Sequence, residues 1–572
     1  MLLAVVCTWP VAGRLDELAL VNVASPFDAL IYAWNFDWLG RSLAAGRSAL
    51  WTDQLFYPQR VPLALYTPTW LHAALSLPLQ VVPGGERGLW MAYHLAVLGS
   101  FALAGLAADA LARRCRVSSA GALVAGAAFA WCGFRTTNFA RLNVLASELV
   151  ALELIAVLAV VTTSQRRALL ALVACTAALA WTSATQAMNA LLAAAVLLPF
   201  FARDAVRGWV GRLALGAGAV ALLCAPLAPG LVVALSWPPL HDDGSRLAFS
   251  LDALGLFWPD GQDLLARAGL PARRMGLLEQ GSSFFAGALV LALATLALWR
   301  RVPLRFARGW WGLAALGWLL ALGPQLKILE VPTGLPLPYA ALEALPPLQI
   351  ARVPARFGVL TALSLALAAG AGAGWLFTRM RLGARAALAA GAVLAGAVAL
   401  EGSGGLPLRM FRGFDLQPRA LARALDGVAG DAALLDLPYD SYHTRRIAMA
   451  LQTAHRHPIL FADYPRAPRS NRQHFASSRL FGLLADAEGA PEALRKGLAA
   501  LDLVAERRRL RALGIGAVVL HHDLYRHLED RSDAAARRLR RRAAVLVPAL
   551  TRAWGPGRRV DLGSYAALVF AL

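Results

Sequence analysis

Residues 88–112 read GLWMAYHLAVLGSFALAGLAADALA, and Asp109 is the one side chain among them with a formal charge. The hydrocarbon core of a bilayer is about 30 Å thick, and a helix of about 20 apolar residues crosses it. The stretch therefore reads as a membrane span, and the rest of the chain is built to the same recipe. Of 572 residues, 58% are hydrophobic and 16% are charged, whereas soluble domains carry about a quarter charged residues. Mean hydropathy is +0.54. A polytopic membrane protein is the class that fits.

Further apolar runs lie near 117–134, 145–163, 168–183, 187–203, 212–236, 282–299, 309–325, 356–376 and 385–400. Met1–Pro10 is apolar without a basic leader or a small-residue cleavage site. It reads as the end of a first span, cut short at its start, and not as a cleaved signal. The expectation is a mainly α bundle of about eleven spans. Every second connection is short and rich in arginine: ArgArgCysArg (113–116), SerGlnArgArg (164–167), ArgAspAlaValArg (203–207), ArgArgValProLeuArg (300–305) and ThrArgMetArg (378–381). Basic short loops mark the cytoplasmic side. The first outer loop (13–87), the linker 135–144, the long loops 237–281 and 326–355, and everything past 401 then lie outside. TWLHAALSLPLQVV (69–82) is apolar but must not change sides, so it reads as a re-entrant or surface-lying helix bounded by prolines.

Two domains follow: residues 1–400 as the membrane module with its outer loop, and 401–572 as a soluble extracytoplasmic α/β domain. In the latter, 431–438, 457–464, 514–522 and 564–572 read as strands, and 492–512 and 531–548 as helices. The formal charge of +21 is almost all arginine, with Lys327 and Lys496 the only lysines, and by itself it implies no nucleic-acid partner. Cys7, Cys115, Cys132, Cys175 and Cys224 sit in or beside apolar runs without metal-ligand spacing. A disulfide framework or structural zinc is not expected.

Candidate chemistry starts at SPFDALIYAWNFDWLGRSL (25–43). On one helix, residues nine apart are rotated by about 900°, half a turn beyond two full ones. Asp28 and Asp37 therefore face opposite ways and cannot form a paired-carboxylate site. Asp37 has Arg41 four residues on, the spacing of an ion pair. Asp28 opens the helix, where an N-cap is the ordinary role, and Tyr32 and Asn35 share its side. Tyr32 and Trp34 are candidate substrate contacts, and in TDQLFYPQRVPLALYTPTW (52–70) aromatic faces suit sugar stacking, lipid-chain packing or an interfacial belt. In GFRTTNFARLNVLASE (133–148), Arg135, Arg141, Asn143 and Glu148 stand at the outer mouth of two spans. Polar groups there are functional candidates because their burial unpaired costs several kcal/mol. WPPLHDDGSR (237–246) offers His241 and Asp242 as metal ligands or as an acidic turn. QIARVPARFG (349–358) sets Arg352 and Arg356 four apart, a pair suited to a phosphate group. No Walker A, GxGxxG, GxSxG or HExxH motif occurs.

FDALIYAWNFDW (27–38), LFYPQRV (55–61), the Arg141-Leu142-Asn143 linker, RVPARFG (352–358), LLDLP (434–438) and LQTAHRHPILFADYPR (451–466) occur in that order along the chain. In this the chain resembles a large group of bacterial polytopic proteins of GT-C glycosyltransferase type, from residue 1 to about 570. The resemblance implies a polyprenyl-phosphate sugar donor, a multi-pass place in the bacterial inner membrane and work in cell-envelope assembly. It implies that an acid of the first outer loop, here Asp28, is general base or metal ligand, leaving room for a divalent cation (Mg or Mn). Arg352 and Arg356 become candidate phosphate contacts. Where the family more often has His-Leu-Asn, Arg141-Leu142-Asn143 suits phosphate binding and not proton transfer. The alternative is a non-catalytic lipid-glycan transporter or accessory protein, for which Asp109 and Gln186 are the candidate polar groups within spans.

Overall fold

The computed structural model describes residues 2–9, 11–16, 19–22, 27–66, 69–81, 85–238, 245–259, 268–269, 284–342, 353–404, 411–439, 441–464, 466, 468–485, 491–524 and 534–572. Each apolar run beyond residue 85 contains helix. Six helical segments are long and apolar enough to cross a membrane: Gly85–Arg114, Leu142–Thr162, Ala184–Asp204, Trp209–Ser236, Pro354–Arg379 and Ala384–Gly402. The helices Ser119–Ala130, Arg166–Thr182, Ala288–Trp299 and Ala307–Ala321 have 12, 17, 12 and 15 residues. At about 1.5 Å per residue, 12 residues reach about 18 Å. Length and composition thus mark six crossings among the described residues, where the apolar runs of the sequence count about eleven.

Small residues set the spacing of the bundle. Gly121 and Gly370 face each other where Ser119–Ala130 meets Gly358–Arg379, and a Cβ on either would run into the other's carbonyl oxygen. Such contacts drive helix association where apolar burial cannot, because lipid is as apolar as leucine. The arginine-rich connections gather at one end: the Arg305 amide donates to Cys115 O at 3.0 Å, and its guanidinium pairs with Asp204 at 2.6 Å. The start of Gly85–Arg114, the segment 133–145 and the start of Gly358–Arg379 lie at the opposite end of their helices.

At that opposite end the chain builds a sheet. Strands Ala433–Leu437, Ile515–Leu520, Ala566–Ala571 and Arg558–Asp561 lie side by side in this order, the first pair parallel and the others antiparallel. Helices Pro491–Ala499, Leu503–Ala512 and Ala534–Trp554 accompany it, and Trp554 Nε1 donates to Leu503 O at 2.7 Å. Residues 457–464 form no continuous strand: Pro458 has no N–H to give, and Ile459 alone bridges. It does so on both sides, to Leu434 and to Leu55 of the segment 13–87. Ala19–Asn22 pairs antiparallel with Phe411–Phe414. The segment 13–87 and the tail are therefore stitched together by main-chain hydrogen bonds at two places. The apolar run 69–82 is the helix Trp70–Val81, packed on Asp28–Ala44 and Gly85–Arg114.

Candidate functional site

The helix Asp28–Ala44 is buried from Asp28 through Trp38 on every side. It is a core helix although it carries Asp28, Asn35 and Asp37, and it is held between Trp70–Val81 and the tail helix Tyr442–His455. Trp34 Nε1 donates to Gln452 Oε1 of the tail helix at 2.6 Å, and Gln452 Nε2 donates to Gln54 O and His457 O. Trp34 thus ties loop to tail, stacked on Trp38 with Tyr66 edge-on.

Asp28 stands in the first turn, where a negative charge suits the helix dipole. It is not the N-cap. That position is held by Phe27, at φ 74°, a backbone region costly for a bulky residue and kept only where packing dictates it. The Phe27 ring is buried edge-on against Phe414 and His443, at centroid distances of 4.8 and 5.6 Å. Two tail residues therefore set the turn that aims Asp28.

The carboxylate meets two arginines. Arg141 Nε donates to Asp28 Oδ2 at 2.6 Å, and Arg446 Nη1 lies 2.6 Å from Oδ1. Arg446 Nε reaches Asp463 Oδ2 at 2.7 Å, so one guanidinium bridges two carboxylates. Arg141 Nη1 also donates to Asn138 Oδ1 at 2.7 Å. The Tyr32 hydroxyl, one turn from Asp28, donates to Asn143 Oδ1 at 2.5 Å. Burial first, then the negative Asp28, pushes the Tyr32 hydroxyl well above its ordinary range, while Arg141 and Arg356 pull the other way. Tyr32 is consequently a neutral donor. Arg356 donates to Thr185 Oγ1 at 3.4 Å, and its carbonyl accepts from Asn189. Asp28, Tyr32, Arg141, Asn143 and Arg356 thus share one electrostatic neighbourhood. Counting Arg446 and Asp463, three arginines face two aspartates there.

The linker bearing Arg141 is fixed from beneath. Arg135, wholly buried, donates to Leu145 O and Ser147 Oγ and pairs with Glu148 at 3.3 Å. Tyr93 donates to Ala140 O at 3.0 Å, Ser100 to Leu145 O at 3.0 Å and Gln186 to Val144 O at 2.7 Å. Arg135, Glu148 and Gln186 are therefore framework. Asp109 pairs with Arg113 at the exposed helix end.

Asp37 lies on the other face, with Arg41 and Arg456 each 2.6 Å from its Oδ2. Its ion pair has the spacing expected, with a second partner from the tail. Arg352, His241 and Asp242 lie outside the described residues. Among the described residues no group of three or more His, Cys, Asp or Glu is placed to hold a metal ion. The Asp28 carboxylate has the guanidiniums of Arg141 and Arg446 at 2.6 Å. Arg446 and Asp463 had no signal in the sequence that tied them to Asp28, although Asp463 falls within the LQTAHRHPILFADYPR segment.

The chain is similar over most of its length to proteins of known structure. ArnT from Cupriavidus metallidurans bound to undecaprenyl phosphate shares 15% identity at a TM-score of 0.44, over 97% of this chain and 95% of that one. The archaeal oligosaccharyltransferase AglB from Archaeoglobus fulgidus, in complex with an inhibitory peptide and a dolichol-phosphate, shares 12% at a TM-score of 0.41, over 91% and 68%. No protein-family model and no curated protein matches the chain.

Proposed function

We propose that the protein is a membrane glycosyltransferase that moves a sugar from a polyprenyl-phosphate donor to the hydroxyl of an extracytoplasmic lipid, glycan or protein, with Asp28 as general base. The observation that carries this is the buried Asp28 carboxylate bonded to two arginines, beside a third arginine and a neutral tyrosine. In one displacement the acceptor O–H gives its proton to Asp28 while its oxygen bonds to the sugar's anomeric carbon. The bond from that carbon to the phosphate oxygen breaks, its electron pair stays on the phosphate, and the configuration inverts. A positioned base contributes about 10²–10⁴-fold, and fixed positive charge beside the leaving phosphate stabilises it as it forms. Arg141 and Arg356 are the cations for that role, and Arg352 is a further candidate. Tyr32 and Asn143 shape the site, Tyr32 as a hydrogen-bond donor. No step runs through a metal ion.

This reading places the site at the outer headgroup level of a bacterial inner membrane, with 401–572 on the same side. There a lipid phosphate and an extracytoplasmic acceptor meet. The test is incubation of the full chain, in membranes, with radiolabelled polyprenyl-phosphate sugars and cell-envelope acceptors. Release of polyprenyl phosphate together with an inverted glycoside is expected. Donor that is bound or translocated but never consumed, across hexose and pentose donors, would overturn the reading in favour of a transporter.

A further inference from the structure

We infer that the hairpin of strands Gln325–Ile328 and Val331–Pro336, together with residues 254–258, is a docking surface for the outer leaflet of the bilayer. It lies in the headgroup region, neither in water nor in the hydrocarbon core, and it is independent of the reaction proposed above.

Hydrogen bonds set its level. Leu251 N donates at 2.9 Å to the carbonyl of Ala321, the last residue of helix Ala307–Ala321, and Ala286 N donates to Leu256 O at 3.2 Å, two residues before helix Ala288–Trp299 begins. Residues 251–256 thus cross from the end of one helix to the start of the other. The hairpin is laid along this crossing. Ala253 N donates to Lys327 O at 2.9 Å, and at the tip Glu330 N donates to Asp252 Oδ2 at 2.7 Å. The hairpin is therefore held as a ledge at the level of the helix ends.

What the ledge shows outward is apolar. Phe257, Trp258, Ile328, Leu329, Val331 and Leu335 are all exposed, Val331 most at 65%. Lys327 is buried and pairs with Glu330 at 3.2 Å, so the two charges of the hairpin answer each other. The helix that leads into it exposes Gly312, Ala315 and Leu319, spaced three and four apart on one face, as a helix side that meets lipid does. The apolar surface carries on along the chain from that side into the ledge.

Exposed apolar patches mark a protein or a membrane contact, and two features choose the membrane surface. Among the described residues the outer edge of Val331–Pro336 pairs with no further strand, and Pro332 and Pro336 blunt it against strand addition by another chain. The backbone groups of an open edge cannot enter hydrocarbon unsatisfied. The ledge therefore stops among the headgroups, where tryptophan is at home. It shares a body with the Arg356 turn: Ala355 N donates to Phe249 O at 3.2 Å, and Pro354–Phe357 packs on helix Ala307–Ala321. Docking thereby fixes the depth of Arg356.

The test places an environment-sensitive fluorophore on full-length protein in lipid nanodiscs, in separate Leu329→Cys, Val331→Cys and Leu335→Cys variants. The unsubstituted chain, labelled in parallel, supplies the background of its own five cysteines. Glu492→Cys, at an exposed position of the tail, is the water control, and Leu222→Cys, exposed within the span Trp209–Ser236, is the lipid control. The quenchers are iodide, lipid spin-labelled near the headgroup and lipid spin-labelled at the chain end. Side chains about 5–10 Å into the boundary of headgroups and chains should be quenched by iodide at least about 3-fold less than Glu492→Cys, and at least about 3-fold more by the shallow lipid label than by the deep one. Iodide quenching equal to that at Glu492→Cys would overturn the docking. So would protection from all three quenchers, the mark of a protein partner or a second copy seated on the ledge. Strongest quenching by the deep label, as expected at Leu222→Cys, would overturn the headgroup depth. Three positions keep the test standing if one variant fails to fold.

Discussion

Asp28 and Asp37 share a helix and a chemistry, yet their partners divide their roles. Asp37 is held by Arg41 in its own helix and by Arg456 just past the end of the tail helix, an arrangement that fastens two elements. Asp28 is held by residues from the linker and the tail at the mouth of the bundle. Tyr32 shows how tightly this corner is made: its hydroxyl lies 2.5 Å from Asn143 Oδ1 in a buried setting. Tyr32→Phe should lower stability by about 1–3 kcal/mol, the cost of an orphaned buried acceptor, measurable as a fall in the melting temperature of detergent-solubilised protein. His455 makes a pH prediction nearby. Burial, followed by the charges of His457 and Arg456, holds its imidazole well below the ordinary 6.5. Above pH 6.5 both folded and unfolded chains keep it neutral. As pH falls through 6.5 the unfolded chain takes up a proton that the folded chain refuses, so stability declines. Melting temperatures should fall below pH 6.5, and His455→Gln should flatten that slope.

Among elements, the contact between Ser119–Ala130 and Gly358–Arg379 is made by Gly121 and Gly370, backbone to backbone. Gly121→Leu has nowhere to put its side chain and should destabilise by about 1–3 kcal/mol or more. Gly218→Leu, in Trp209–Cys224, adds a Cβ that would meet nothing within 4 Å. It gains helix propensity and should leave the melt unchanged or slightly raised. Comparing the two variants in one detergent checks this directly. The elements themselves were largely legible. Residues 168–183 became the helix Arg166–Thr182, and 514–522 the strand Ile515–Leu520, because apolar period and turn residues act locally. The 69–82 run became a helix for the same reason. The crossing count was less legible: whether a 12-residue apolar helix meets lipid or protein depends on its neighbours, which periodicity does not reveal.

For the whole molecule, the tail is the part that sequence reading undervalued. Helix phase separates Asp28 from Asp37, the resemblance described above selects Asp28, and Arg141 stands out in its linker. Arg446 and Asp463 could not be attached to that corner. Their place follows from the pairing of Ala19–Asn22 with Phe411–Phe414 and from the Leu55–Ile459–Leu434 bridges. These are main-chain contacts between distant segments with no local signature. The same contacts argue against a detachable partner-binding module. Deleting 405–572 should abolish transfer and strip the outer loop of its packing, read as lost activity and rapid proteolysis near residues 27–66. A truncated protein that still transfers sugar would show the tail to be modular.

The central claim is that Asp28 takes the acceptor's proton. Its most direct test compares Asp28→Asn and Asp37→Asn, as full-length folded proteins, for sugar transfer from a lipid-linked donor under single-turnover conditions. The account predicts a fall of at least about 100-fold for Asp28→Asn, within the range for loss of a general base, and a change of no more than a few-fold for Asp37→Asn. Full transfer activity in Asp28→Asn would contradict it.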